Sequence, residues 1–448
     1  MSRKTLPLTG QFKEDRPRRL SQEELDDLEK LGSAKVIMLA QWANRQLTCS
    51  HCHKCTTECE VLAQPGLDMG TVEAAYERIM ALPASERRDA VRTLVSDDPS
   101  LYTALRRCCF CGHCTAQCQH HVLAPEAMRA WRQLFFDAGY QPVEKLTLVD
   151  NEWNIFTAYR AIYGIGYPEF VSLDYAAQHP GMVDTLFFPG CSLLSYMPEL
   201  VRAVGAWLTD QGFSWALSDD CCASPLMSAG RFDRAAALRE SIRQRALAAG
   251  ITRIITVCPG CGEELAPTLA KDIDIVPLPE VLLAGGRLAV QQGRDPGFHP
   301  LERASLTFFD SCHDRHDQRH GTAIRALMRE FAPTAQQREM LHHGANTLCC
   351  GAGGAVSPFD PELSKRRVTA VIDEARQTQA ETLITMCPTC AYTISYACLN
   401  ATDEHVVQNR HYLEVLFGIE VDWPQIFDNL ASMWEGEYGP WLLQTFYS

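Results

Sequence analysis

Two cysteine quintets constrain this chain more than any other feature. Cys349 and Cys350 are adjacent and precede Gly351, Cys312 lies well upstream, and Cys387-Pro388-Thr389-Cys390 lies downstream. Five cysteines so widely spread cannot form one local knuckle, so the fold must bring three separate loops to one point. The same arrangement occurs earlier as Cys191, Cys221-Cys222 and Cys258-Pro259-Gly260-Cys261. Corresponding cysteines are 121, 128 and 129 residues apart, which marks an internal duplication.

The texture around each quintet is α/β. An apolar strand at 185–188 ends at Cys191, a helix runs to about 209, another spans 231–249, and a strand at 251–257 delivers Cys258. The second copy repeats this with a strand at 306–309, helices from about 321 and over 361–379, and a strand at 382–386 before Cys387. These patterns predict two duplicated α/β cysteine-rich domains, 184–290 and 300–411, with the Gly- and Gln-containing stretch at about 284–303 as the linker.

The N-terminal third reads as all helical. After a basic leader, 1–33, in which Ser21 opens a capping box for a short helix to about Leu31, a helix at 34–46 leads to Cys49-x2-Cys52-x2-Cys55-x3-Cys59. Helices at about 70–81 and 84–95 follow, then a second loop, Cys108-x2-Cys111-x2-Cys114-x3-Cys118, and a helix opened by Pro125 from Glu126 to about 138. This is the spacing of two-cluster ferredoxins, in which the fourth cysteine of each run serves the other cluster. It predicts a helical ferredoxin-like domain, 34–141, with one cubane [4Fe-4S] site at Cys49, Cys52, Cys55 and Cys118 and another at Cys108, Cys111, Cys114 and Cys59. Zinc is the competing reading for a single four-cysteine loop, but zinc sites usually separate their cysteine pairs by a longer spacer. The residue after the fourth cysteine, often Pro, is Glu60 in one run and Gln119 in the other. Cys109 and Cys398 fall outside the motifs and read as buried core thiols.

The stretch 142–183 holds Trp153, Phe156, Tyr159 and Tyr163 and is too apolar for a free linker, so it is expected to pack between the domains. The tail, 412–448, carries Phe417, Trp423, Phe427, Trp434, Tyr438, Trp441, Phe446 and Tyr447. An amphipathic segment packed on its own domain is the simpler reading, and a docking surface for a partner is the alternative.

A formal charge of −14 argues against nucleic acid as a partner and against an anionic membrane face. The run at 36–40 is the nearest approach to a membrane span, and the N-terminus has no apolar signal region, so a cytoplasmic location is expected, with any membrane contact made through a partner. Twenty cysteines in a reducing compartment indicate metal binding rather than disulfides. Gly351-Ala352-Gly353-Gly354 follows a cysteine pair rather than an open strand-to-helix turn, so it is no dinucleotide fingerprint. No other stretch looks like a flavin or nicotinamide site, and a partner must supply or remove electrons.

A two-cluster ferredoxin module followed by two such repeats resembles the fused catalytic subunit of the heterodisulfide reductase family, whose cysteine-rich "CCG" domains have this form. The likeness covers about residues 34–400. It implies a noncubane [4Fe-4S] cluster in each quintet: one held by Cys191, Cys221, Cys222, Cys258 and Cys261, the other by Cys312, Cys349, Cys350, Cys387 and Cys390. It further implies that a small disulfide or thiol substrate meets both clusters at these catalytic cysteines. The first copy departs from the pattern at Ala223, where the second has Gly351. Partners implied are a membrane cytochrome or quinone-linked subunit, a flavoprotein subunit, or both. Two alternatives stay open: a pure electron-transfer subunit of a cytochrome- or quinone-linked complex, and the iron-sulfur subunit of a glycolate or glycerol-3-phosphate oxidoreductase. His313, His316, His320, His342 and His343 near the quintets could protonate a leaving thiolate, although solvated or capping roles are simpler. His51, His53 and His113 are expected to tune cluster potential rather than bind iron.

Overall fold

A computed structural model of the chain describes residues 49–63, 67–120, 122–140, 154–300, 304–357, 359–401 and 407–442. The capping box at Ser21 and the helix at 34–46 lie outside these residues, as do Trp153, Phe446 and Tyr447. The chain divides into two compact units, Met1–Pro142 and Val143–Ser448.

The described part of the first unit is helical: α1 (Lys54–Glu58), α2 (Met69–Met80), α3 (Ala84–Asp97), α4 (Pro99–Arg106), α5 (His113–Ala116) and α6 (Ala124–Asp137). Helix α2 starts where Asp68 caps it, accepting the Thr71 N–H at 2.8 Å. Its apolar face meets α6 around the fully buried Trp131, whose indole N–H donates to the Val72 carbonyl at 3.1 Å. The two cysteine loops are the connections that flank this small core.

The second unit opens with α7 (Ile155–Ile162) and α8 (Leu173–Gln178). The described part of the aromatic connector is thus built into this unit: Tyr159 is buried, packs edge-on against Tyr196, and accepts from Asn429 at 3.1 Å. Next comes the first repeat: β1 (Thr185–Phe188), α9 (Cys191–Tyr196), α10 (Pro198–Asp210), β2 (Trp215–Leu217), α11 (Ser224–Ser228), α12 (Phe232–Ala249), β3 (Arg253–Thr256), α13 (Pro259–Leu269), β4 (Asp274–Pro277) and α14 (Leu278–Gln291). The second repeat has β5 (Ser305–Phe309), α15 (Arg319–Phe331), β6 (Gln336–Glu339), α16 (Pro361–Gln377), β7 (Thr382–Thr385), α17 (Pro388–Leu399), β8 (Gln408–His411) and α18 (Tyr412–Phe417), followed by α19 (Trp423–Glu435).

Each repeat is a four-stranded parallel sheet, in the order β2-β1-β3-β4 and β6-β5-β7-β8. The inner strands are buried on both faces, as helix-covered parallel strands must be. One continuous core joins the repeats, with Leu194, Val204 and Leu282 from the first and Phe308, Leu327 and Tyr412 from the second.

One expectation is corrected. Residues 284–291 are not linker but the end of α14. Gly285 and Gly286 sit inside the helix, where added Cβ atoms would lie 2.6 Å from Trp207 and 2.7 Å from Phe331, so both glycines serve close packing rather than a turn. The described part of the tail packs on its own domain. Helix α18 follows β8 as α14 follows β4, and Trp423 and Met433 of α19 are buried on the same core, while Tyr438 and Trp441 remain 39% exposed.

Candidate metal centres

In both repeats every cysteine loop leaves the C-terminal edge of a parallel strand. Cys191 follows β1, Cys221-Cys222 follow β2 and Cys258 follows β3, while Cys312, Cys349-Cys350 and Cys387 follow β5, β6 and β7. That edge is where open α/β sheets place their sites.

Cys258 and Cys387 are the N-caps of α13 and α17, with Pro259 and Pro388 in the first turn and Cys261 and Cys390 following within it. The N-terminal end of a helix favours negative charge, and four sulfurs stand at these two ends. Gly190 has φ +83°, and a Cβ there would lie 2.9 Å from the Cys261 sulfur, so this glycine admits that sulfur to the backbone.

Eight of the ten sulfurs form one contact path through both repeats. Cys191 meets Cys221, Cys221 meets Cys222, Cys222 meets Cys261 and Cys261 meets Cys258. Cys258 lies 3.9 Å from Cys387 of the other repeat, Cys387 meets Cys390, and Cys390 lies 3.2 Å from Cys350. Cys349 accepts the Gly351 N–H at 3.4 Å, and Cys312 opens a 3-10 turn beside His313. Across the same junction Ser192 and Thr389 are 3.2 Å apart and Tyr196 stacks on Tyr392.

Crowding and burial act on these thiols strongly. A hydrogen bond to Cys191 and burial push Cys221 up, and Cys222 is pushed up to about 12 by its bond to Cys221 and by burial. Cys261 and Cys390 are held high in the same way. Cys387 goes well below its ordinary value, because Cys258 and then Cys390 donate to it. Deprotonating Cys221, Cys222, Cys261 and Cys390 as well calls for cationic charge at the centre. Ten clustered thiols, none of them in a disulfide, meet that description and fit iron-sulfur ligation.

In the first unit both loops fold alike. His51 and His53 have φ of 53° and 58°, matched by Phe110 at 56° and Gly112 at 69°. Left-handed residues at equivalent positions curl each loop so that the His51 and Phe110 N–H groups donate to the Cys49 and Cys108 sulfurs, both at 3.4 Å. Non-glycine residues pay strain of about 1 kcal/mol or more for this geometry, which points to a requirement at the sulfurs. A pocket is lined by Cys49, Cys52, Cys55 and Cys118 together with Cys114. Cys114 in turn lies in the electrostatic range of Cys59 and Cys108. Where Glu60 and Gln119 replace the usual proline, the backbone closes the turns unaided: Leu62 and Ala63 both donate to the Cys59 carbonyl at 2.9 Å, and Cys118 donates to Thr115 at 3.1 Å.

Cys109 is buried, and Cys398 lies near the Val407 carbonyl at 3.8 Å with its thiol pushed up to about 11 by burial. Of the histidines, His320 is buried beside Asp314, His342 is held by Glu374, and His343 is exposed. His313 is hydrogen-bonded through Nδ1 to Glu263 of the other repeat and lies against Gly260, with Nε2 at 3.4 Å from where a Cβ would stand.

Several contributors are not apparent from the motifs. Arg239 is buried, donates to the Cys222 carbonyl at 3.0 Å and pairs with the buried Glu264. Asp310 binds Arg325 through both oxygens, at 2.7 and 2.9 Å, and accepts the Gly344 N–H. In the first unit Arg132 is fully buried and spans the carbonyls of Arg106 and Cys108 at 2.8 and 2.9 Å. Burial, with Arg106 close by, lowers its pKa to about 9, which leaves it charged at neutral pH. The usable signal is Glu263-Glu264, one glycine after Cys261: two acids in the first turns of a helix that starts at a cysteine motif.

The cysteine-rich domain family model matches residues 185–266 and 306–395, which contain both quintets. The chain is 25% identical over 351 residues to one subunit of the fumarate reductase (CoM/CoB) of Methanothermobacter marburgensis, covering 76% of this chain and 66% of that protein. It is 26% identical over 304 residues to an uncharacterized iron-sulfur protein of Methanococcus maripaludis, covering 66% of this chain and 58% of that protein. It is 24% identical over 304 residues to one subunit of the dihydromethanophenazine:CoB–CoM heterodisulfide reductase of Methanosarcina barkeri, covering 64% of this chain and 71% of that one. The match thus spans less than two thirds of the length of the first two relatives.

Proposed function

We propose, for a chain that belongs to the heterodisulfide reductase family, a two-electron conversion between a small disulfide and its two thiols at the paired quintets. The chain is an iron-sulfur redox subunit. In the fuller reading Cys49, Cys52, Cys55 and Cys118 hold one cubane cluster, and Cys108, Cys111, Cys114 and Cys59 the other. Cys191, Cys221, Cys222, Cys258 and Cys261 hold one noncubane cluster, and Cys312, Cys349, Cys350, Cys387 and Cys390 its counterpart. When bound, these groups supply one-electron redox chemistry.

The observation that carries the reading is the 3.9 Å approach of Cys258 to Cys387. Two separate quintets would serve two separate reactions, whereas quintets that touch can act on the two sulfurs of one molecule. Reducing a disulfide takes two electrons and two protons and releases two thiols. Glu263 binds His313 at Nδ1, and the ring lies beside Gly260 in the Cys258–Cys261 loop, where an imidazole can deliver a proton.

Relatives named as reductase subunits support membership of a complex; the electron partner in this reading is a flavoprotein or a membrane cytochrome or quinone-linked subunit. Among the described residues no helix is long and apolar enough to cross a membrane. Four four-iron clusters predict about 16 Fe per chain. EPR of the anaerobically purified chain, oxidised with and without thiols, tests the chemistry. A paramagnetic signal that depends on thiol is expected, and its absence would reduce the role to electron transfer alone.

A further inference from the structure

The two cysteine loops of the first unit match in backbone but differ in the fixed charges behind them. Beside the Cys49 loop stands Asp68, 2% exposed, whose carboxylate lies within 4.8 Å of the Cys49 sulfur and the His51 ring. Glu73 adds a second negative charge in range of Cys49. Behind the Cys108 loop stand three arginines on α4 and α6: Arg106, Arg129 and Arg132, 1%, 5% and 0% exposed. Arg132 donates to the Cys108 carbonyl at 2.9 Å and lies over the Phe110 ring at 4.5 Å, and Arg129 lies over the other part of that ring at 5.3 Å. Glu126 pairs with Arg129 at 3.6 Å, and Arg132 holds the Cys108 carbonyl directly.

From this asymmetry we infer that Arg132 raises the reduction potential of the Cys59/Cys108/Cys111/Cys114 site and Asp68 lowers that of the Cys49/Cys52/Cys55/Cys118 site, so that the first electron settles on the Arg132 side. The inference rests on the proposed cubane clusters. A reduced cluster carries one more negative charge than an oxidised one, so a nearby cation stabilises the reduced state and a nearby anion destabilises it. Burial matters because water and salt do not screen these charges. Cys114 is buried and Cys52 exposed, a difference in hydration that works the other way; the guanidinium replaces the water that the buried site lacks. Arg132 is a positioning and tuning residue that holds the loop by its backbone.

The test uses the full chain, purified anaerobically with its clusters and reduced stepwise at one fixed pH. EPR follows each cubane signal against potential. Arg132→Gln should lower the midpoint of one signal, and Arg132→Lys, which keeps the charge, should restore most of the shift. Asp68→Asn keeps a capping acceptor for α2 and should raise the midpoint of the other signal. The wild type should fill the Arg132-sensitive signal first. The inference is overturned if both variants leave the midpoints in place, if they move the same signal, if Lys shifts it as far as Gln, or if the Asp68-sensitive signal fills first. Should Arg132→Gln fail to retain its clusters, Asp68→Asn decides alone, and an unmoved midpoint there overturns the inference. A wild-type chain without cubane signals or matching iron would overturn the proposed clusters themselves, a different result from clusters whose potentials ignore these charges.

Discussion

The two repeats solve one problem with different materials. Both must hold a cysteine pair in a tight loop before a helix, and both do so with a left-handed residue after the pair, Ala223 at φ 67° and Gly351 at φ 82°. At Gly351 an added Cβ would stand 2.8 Å from the Ser364 carbonyl oxygen and 3.0 Å from its Cα. At Ala223 the methyl is present, fully buried, and packs with Leu226 and Ala235. The glycine of the motif is therefore demanded less by the turn than by the helix behind it. The first repeat then braces its loop with the buried Arg239–Glu264 pair on the Cys222 carbonyl. At the 129-residue spacing that relates Cys258 to Cys387, Glu264 corresponds to Thr393, and the second repeat instead ties Gly351 to Ser364 by a 2.9 Å hydrogen bond.

If the braces differ in this way, the repeats should break differently. The largest effect is expected from Glu264→Ala, which leaves Arg239 as an uncompensated buried cation and should cost about 3–5 kcal/mol in urea unfolding. The first repeat should lose its iron while the second keeps its own, so iron analysis should fall by about 4 per chain. Thr393→Ala should do neither. Gly351→Ala comes next: overpacking against backbone plus left-handed strain should cost about 2–4 kcal/mol. Because the clash is with the Ser364 backbone, adding Ser364→Ala should recover little. Full recovery in that double variant would show that the side chain, not the helix position, sets the glycine.

How much of this was readable beforehand follows from where the constraint lies. The cysteine spacings were legible because ligand chemistry fixes them locally, and β1, β3, β5 and β7 were legible because inner parallel strands are continuous apolar runs. The outer strands were not: β6 is Gln336-Gln337-Arg338-Glu339 and β8 is Gln408-Asn409-Arg410-His411, polar segments that pair only because a neighbour offers an edge. The glycines of α14 looked like a linker because their partners, Trp207 and Phe331, are distant in sequence. For the same reason nothing in the motifs announced that Cys258 touches Cys387, or that Arg132 and Asp68, ordinary charges on helical segments, are buried behind the loops.

A third contrast separates the repeats by pH. Glu280 and Glu414 are each the third residue of the helix that follows the last strand. Glu280 pairs with Arg319 at 2.7 and 2.6 Å, across to the other repeat. Glu414 is 2% exposed, accepts the His411 and Val421 N–H groups at 2.6 and 3.1 Å, and burial pushes its pKa up to about 7. A carboxyl with its folded pKa above its unfolded value binds more protons when folded. Its contribution is complete below about pH 4.5 and is lost as pH rises through 7. The expected slope between these limits is at most about 1.4 kcal/mol per pH unit. Unfolding measured from pH 5 to 8 should show this slope in the wild type, show it reduced in Glu414→Gln, and show it unchanged in Glu280→Gln.

The smallest effect is the reverse of the glycine substitution. Ala223→Gly relieves a left-handed alanine, worth about 1–2 kcal/mol. It also loses a buried methyl, about 0.8 kcal/mol, and frees the unfolded backbone by a similar amount. These terms nearly cancel, so stability should move by less than about 1 kcal/mol in either direction, and iron content should stay the same. The same two residues exchanged in the two repeats would then differ by a factor of two or more in their energetic effect, with the wall behind the loop as the cause. If Ala223→Gly instead lost iron, the methyl would be a working part of the first site, and the repeats would differ in chemistry as well as in packing.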